Sequence, residues 1–210
     1  MQRPSTLLAL WGILCAGGPA RAANAHPQDR PVPTTQTVAT TGGHVEFTAV
    51  GWPSALTIHG KGDGVDGRLT VEGPSVSGTL SFDLSGLSTG IGLRDRHMKE
   101  KYLEVAQHPR ATLALAGVSL APLPVGDRFD PVRVPWEGML TLHGVTQRVA
   151  GEARIGRAGN AVKTVAEFTV DIGAFGIEVP SYMGITVAEK VQVKVSFTGG
   201  LEAAHDAAPR

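Results

Sequence analysis

The 210 residues contain one cysteine, Cys15, and it lies in an N-terminal stretch that reads as an export leader. With that stretch removed no disulfide can form, and packing alone must hold the fold. Charge of one sign is lacking too: 19 Lys and Arg balance 19 Asp and Glu, and losing Arg3 and Arg21 with the leader leaves 17 bases against 19 acids. Neither balance marks a nucleic-acid surface, so no nucleic-acid partner is expected. No apolar run reaches the ~20 residues that span a bilayer as a helix.

Signatures of catalysis are also missing. There is no G-x-S-x-G elbow, and Ser54 in WPSAL precedes a strand pattern where a nucleophile elbow needs a helix. Gly60-Lys61-Gly62-Asp63-Gly64 has no helix behind it to bind phosphate and reads as a turn. Asp63 and Asp66 lack the further acidic ligands of a calcium loop. None of the seven histidines forms an H-x-x-x-H or H-E-x-x-H pair, so no metal and no cofactor are expected, and His97 reads as a capping or surface-packing residue. Without a matched nucleophile and base, an enzyme acting on a small apolar substrate is the weaker alternative.

Residues 1–25 carry Arg3, an apolar run and small residues at two A-x-A sites, 20–22 and 23–25, which is the pattern of a secretory signal peptide. A lipid anchor at Cys15 is disfavoured by Leu14, where a small residue belongs. The expected location is therefore periplasmic or secreted. Residues 26–41 hold Pro27, Pro31 and Pro33 with no apolar period and read as a disordered linker. Residues 42–201 carry the folded pattern, enough for one core, and 202–210 read as a tail.

Across the folded part the period is two, the mark of strands with one buried face. In 75–85, Val76, Gly78, Leu80, Phe82 and Leu84 share one side and serines, Thr79 and Asp83 the other. Similar alternation covers Val45 and Phe47, Leu56 and Ile58, Leu69 and Val71, then 112–118, 136–142, 149–155, 167–172 and 191–197, with hairpin-like joints at Gly51-Trp52-Pro53 and 60–64. A proline-rich irregular loop is expected over 121–135. The exception to the period is one short amphipathic helix, residues 94–106. Met98, Tyr102 and Val105 share a face there, with Asp95 as the expected N-cap, Arg94 paired to a nearby carboxylate or carbonyl, and His108-Pro109 closing it. Eight or nine antiparallel strands must hide their apolar faces by stacking two sheets or by closing into a barrel.

The run TGIGLRDRHMKEKYLEVAQHPRA, followed by GMLTLHGVTQRV and FGIEVPSYMGITVAEKVQVKV, resembles the YceI family of bacterial lipid-binding proteins over about His44 to Leu201. The proline-rich loop 121–135 and the short GWPSALTIHG start depart from the family's usual pattern. The resemblance implies a mainly β fold, an antiparallel lipocalin-like barrel of about eight strands. It also implies an apolar lipid ligand (an isoprenoid, quinone or fatty acyl chain) held inside an exported carrier with transient membrane contact, and a functional reading of Arg94 against a polar headgroup at the barrel mouth.

A barrel of that size either fills its interior with its own side chains or holds one small ligand. Few aromatics, 27 glycines and inward Leu and Val favour space, while a filled-core structural or interaction domain is the alternative. The period assigns the lining to Leu80, Phe82, Leu84, Leu113, Leu115, Trp136, Leu140, Leu142, Phe168, Val170, Val193, Val195 and Phe197. The sequence sets neither the oligomeric state nor a delivery partner.

Overall fold

A computed structural model describes residues 35–52, 56–182 and 185–203. The leader expected over 1–25, and most of the linker, lie outside the described residues. The remainder is a closed antiparallel barrel of eight staves. Its strands are β1 (Thr35–Trp52), β2 (Thr57–Asp63), β3 (Val65–Glu72), β4 (Ser75–Asp83), β5 (Arg110–Ser119), β6 (Arg128–Leu142), β7 (Val145–Ala158), β8 (Ala161–Asp171), β9 (Ser181–Tyr182), β10 (Ile185–Val187) and β11 (Lys190–Ala203). The order round the wall is β11-β8-β7-β6-β5-β4-β3-β1, and β1 pairs with β11 to close it. Closure removes the exposed edges that an open sheet of this size would carry.

β2 and β3 form a single stave. Val50↔Thr57 through His44↔Asp63, and Ala39↔Arg68 through Thr35↔Glu72, keep one register against β1, interrupted at Gly64 (φ +99) opposite a bulge between Thr40 and Gly43. The glycines at 60–63 are therefore strand, not the hairpin joint expected there. The short β9 and β10 pair with each other, and β10 adds to the end of β1 at Gly51 and Trp52.

The linker expectation is corrected from Thr35 onward. Residues 35–41 open β1, and Gln36 and Thr37 pair with Ala203 and Glu202, two residues expected in the tail. The opening of β1 shows no apolar period because Val38 is its one large apolar residue: it points inward, 5% exposed, and a Cβ on Gly199 would lie 2.3 Å from its Cγ1.

The irregular loop over 121–135 is also corrected. β6 already begins at Arg128, with Pro131 at a bulge and Pro135 opposite Glu152 of β7. On its other side β6 pairs with β5 only through Thr141, Leu140 and Met139. Its first half thus behaves as an edge, and an edge or a bulge tolerates residues that cannot donate a hydrogen bond.

Between β4 and β5 the chain makes an excursion, residues 84–109, closed at its neck by the Asp83↔Arg110 pair and by the Leu84 N–H donating to the Pro109 carbonyl at 2.9 Å. It holds a helix, α1 (Gly92–His97), that widens into one π-turn at Met98–Tyr102. The helix thus starts and ends earlier than the expected 94–106. Asp95 does not cap it: Ile91 occupies that position without a side-chain bond. Instead Asp95 accepts from the Ser88 hydroxyl at 2.7 Å, the Thr89 N–H at 2.7 Å and the Thr89 hydroxyl, pinning the helix to the segment before it. That segment is in turn stitched to β2, Lys61 and Ser88 exchanging backbone hydrogen bonds at 2.9 and 2.8 Å. The π-turn inserts one residue per turn and so splits the apolar face. Met98 packs on Val65, Phe82, Leu84 and Leu87, while Tyr102 joins the larger cluster inside the barrel.

Candidate functional site

The inward side of the strands encloses a cavity of about 1100 Å³ along the barrel. All thirteen residues assigned by the period of two line it. Leu80, Phe82, Trp136, Leu140, Val170 and Phe197 are buried in its wall, and Leu84 is buried in a short 3-10 turn just past the end of β4. Leu113, Leu115, Leu142, Phe168, Val193 and Val195 point the same way yet are only half-buried. Inward residues keep accessible surface only when space rather than a neighbour lies beyond them. The filled-core alternative is therefore not the interior this chain builds.

Several glycines on the wall make way for side chains. A Cβ on Gly62 would approach Phe82 Cζ at 2.6 Å, and one on Gly151 would meet the Phe168 Cβ at 2.8 Å. The Trp136 and Phe168 rings meet edge to face, centroids 5.2 Å apart at 82°. The Trp136 indole N–H is buried with no hydrogen-bond partner among the described residues. This is a cost that burial of the rest of the ring offsets.

Among the lining residues that sequence reasoning missed, two groups stand out. One comes from β1 to β3: Val38, Val45, Phe47 and Leu69. Val45, Phe47 and Leu69 had been placed on strand faces without being carried to the lining. The other comes from the excursion, where Leu87, Ile91, Leu93, Met98 and Tyr102 close one end. No strand period could have flagged those. Ile91 and Leu93 are 54% and 63% exposed although they line the cavity, and Val125 in the β5–β6 loop is fully exposed at the lining of the other end. Apolar side chains standing in water at both ends of an apolar channel mark mouths.

Polar groups in the lining are few. At the excursion end Arg94 donates from Nε to the Thr89 hydroxyl at 2.7 Å and from Nη2 to the Thr89 carbonyl at 2.8 Å, as the structural reading of this residue expected of a nearby carbonyl. His97 also lines that end. At the other end Arg157 spends its Nε on the Gly159 carbonyl at 2.9 Å. The carboxylate of Asp95 behind Arg94 is raised by partial burial, but the hydrogen bonds from Thr89 and Ser88 outweigh that and hold it below its ordinary value. No pair of a nucleophile and a base faces the cavity from these residues, and the chemistry on offer is burial of apolar surface with one cation near each mouth.

The family model for the YceI-like domain matches residues 34–199. Three solved structures share the fold. A polyisoprenoid-binding domain from Saccharophagus degradans is 17% identical, with a TM-score of 0.60 over 81% of this chain and 99% of that one. BcnA from Burkholderia cenocepacia is 15% identical, with a TM-score of 0.58 over 73% of this chain and 95% of that one. The YceI protein of Campylobacter jejuni is 11% identical, with a TM-score of 0.53 over 67% and 83%. A comparison with curated protein sequences finds no match. With the family pattern running through nearly all of the barrel, this chain belongs to the YceI-like domain family.

Proposed function

We propose that this protein is an exported carrier that holds one long apolar lipid, of isoprenoid, quinone or fatty acyl type, inside its barrel. The observation that carries the reading is the apolar-lined cavity of about 1100 Å³. Burial stabilises a bound chain by about 0.8 kcal/mol per CH₂, so a long tail binds tightly without a specific polar partner. A cavity with exposed apolar residues at both mouths suits a chain better than a compact ligand. The fold relative from Saccharophagus degradans, described as a polyisoprenoid-binding domain, supports the same class. The leader-like residues 1–25 support a periplasmic or secreted location.

On this reading Arg94 is the group nearest a polar headgroup at the excursion end. Two of its donor nitrogens are held by Thr89, and the fork is thereby fixed at the lining. No chemical step is required of the protein, and exchange of ligand happens at a membrane through the exposed apolar mouths. Solvent extraction of the purified protein followed by lipid mass spectrometry tests the reading. It predicts a co-purified lipid with a long apolar chain. An empty protein that also fails to take up a long-chain prenol contradicts it.

A further inference from the structure

Among the described residues, two that are not glycine have positive φ: Glu104 at 44° and His143 at 51°. Glu104 follows the helical segment at the place where a left-handed residue ends a helix and glycine is the usual choice. His143 begins the two-residue turn between β6 and β7, with Gly144 at φ 73°, the I′ pattern that favours Asn-Gly. Each side chain stands where backbone chemistry asks for a different residue. Although 39 residues apart, the two meet, His143 Nε2 lying 3.0 Å from Glu104 Oε2.

The other ring nitrogen, His143 Nδ1, lies 3.2 Å from the carbonyl of Phe175. A carbonyl only accepts, so Nδ1 carries the proton in that bond. In a neutral ring Nε2 then presents a lone pair to a carboxylate, which also has only lone pairs to offer. Two acceptors at 3.0 Å need a positive charge between them, carried by a proton or by a metal ion. His108 completes the arrangement: its ring meets that of His143 edge-on with centroids 4.9 Å apart, and one ligand atom from each of Glu104, His108 and His143 lies within 4.8 Å of the others.

We propose that Glu104, His108 and His143 form a binding site for one divalent transition-metal ion of the zinc type. A second proton on His143 would satisfy the pair with Glu104 and engages His108 only through the edge of its ring, whereas a metal uses all three. Imidazole and carboxylate are ligands that zinc accepts, and two histidines with one glutamate leave a fourth position open. The Nδ1 bond to a backbone carbonyl is the support that metal-bound imidazoles use to fix their orientation. Zinc bonds of about 2.0–2.1 Å put tetrahedral ligand atoms about 3.4 Å apart, so binding asks for a closure on the order of 1 Å. The Glu104 side chain is 41% exposed and gives the ion a way in. The ligands come from the end of the helical segment, the approach to β5 and the β6–β7 turn, so a bound ion would staple the excursion to the barrel. The sequence offered no metal spacing because the ligands converge only through the β6–β7 turn.

The test uses the full chain without a histidine tag, stripped with chelator and titrated with Zn²⁺ by calorimetry, while thermal unfolding is followed with and without the ion. The expected result is one zinc per chain and a Tm that rises by several degrees. His143→Asn and Glu104→Gly each remove a ligand while placing a residue the local backbone favours, so both should fold, as circular dichroism will report. Each should weaken zinc binding at least 100-fold and abolish the zinc-dependent rise in Tm, whereas His59→Asn should change neither. Absence of zinc binding by the unaltered chain, or undiminished binding by either variant, would overturn the proposal.

Discussion

The ring of Phe47 lies across the α-carbon of Gly60, its register partner on β2: a Cβ added to Gly60 would come within 2.1 Å of the Phe47 Cε1. The missing side chain is what lets an inward aromatic lie flat against the wall and leave the channel open. Gly60→Val should therefore push the Phe47 ring into the cavity. The expected cost is about 1–3 kcal/mol of stability, as for other overpacked sites. Lipid capacity should fall with it, read by denaturant unfolding and by titration with a fluorescent long-chain lipid. Unchanged stability and binding would show that the ring has room elsewhere.

Asp95 gives a pH-dependent prediction. Its folded pKa is below the ordinary value of 3.8, because the Thr89 and Ser88 hydrogen bonds outweigh the effect of burial. A depressed carboxylate contributes stability that is fully present above its unfolded pKa and is lost as pH falls through its folded one. Asp95→Asn should cost about 1 kcal/mol at pH 7, the hydrogen bonds being screened by nearby solvent, and its difference from the unaltered chain should shrink as pH falls below 3.8. A cost that stays constant from pH 7 to pH 3 would mean that the carboxylate charge is not what holds the excursion.

The two faces of the wall can be told apart with one charge on each. Leu140 is buried at the lining and Thr79 is exposed outside. Leu140→Asp should cost about 3–5 kcal/mol and abolish lipid binding, because a lone carboxylate gains no partner there. Thr79→Asp should stay within about 0.5 kcal/mol of the original. The reverse result would invert the inside and outside of the barrel.

Filling the channel separates binding from folding. Val193 sits between Phe47 and Phe168 in the ladder, and its half-buried side chain faces the cavity. Val193→Trp should leave stability within about 1 kcal/mol, since the larger side chain enters empty space instead of a packed neighbour. Lipid uptake should drop at least tenfold. Full uptake by a well-folded variant would place the ligand elsewhere.

Much of this wall is legible in the residues themselves. The alternation Val76, Leu80, Phe82 gives β4 and its inward side without help, and the same rule carries to Leu113, Leu140, Phe168 and Val193. What it misses has physical causes. The first half of β1 pairs with the far end of the chain, and a stretch whose cavity-lining residues are Gln36 and Val38 has too few apolar side chains to show a period. Pro131 and Pro135 suggest a loop because prolines break interior strands, yet β6 is unpaired toward β5 along that stretch and tolerates them. Asp95 resembles a cap because it precedes a helical pattern, but the helix already starts at Gly92 and the carboxylate turns back to Ser88 and Thr89. The meeting of Glu104 with His143 depends on a turn geometry that asparagine and glycine, not glutamate and histidine, normally announce.

The central claim is that the cavity holds one long apolar chain, and native mass spectrometry of the purified protein addresses it most directly, since one spectrum gives bound mass and subunit count. The account predicts a single adduct per chain with the mass of a long-chain lipid, released on collisional activation and absent from Val193→Trp. A spectrum of bare protein before and after incubation with long-chain prenols, or an adduct undiminished in Val193→Trp, would contradict it.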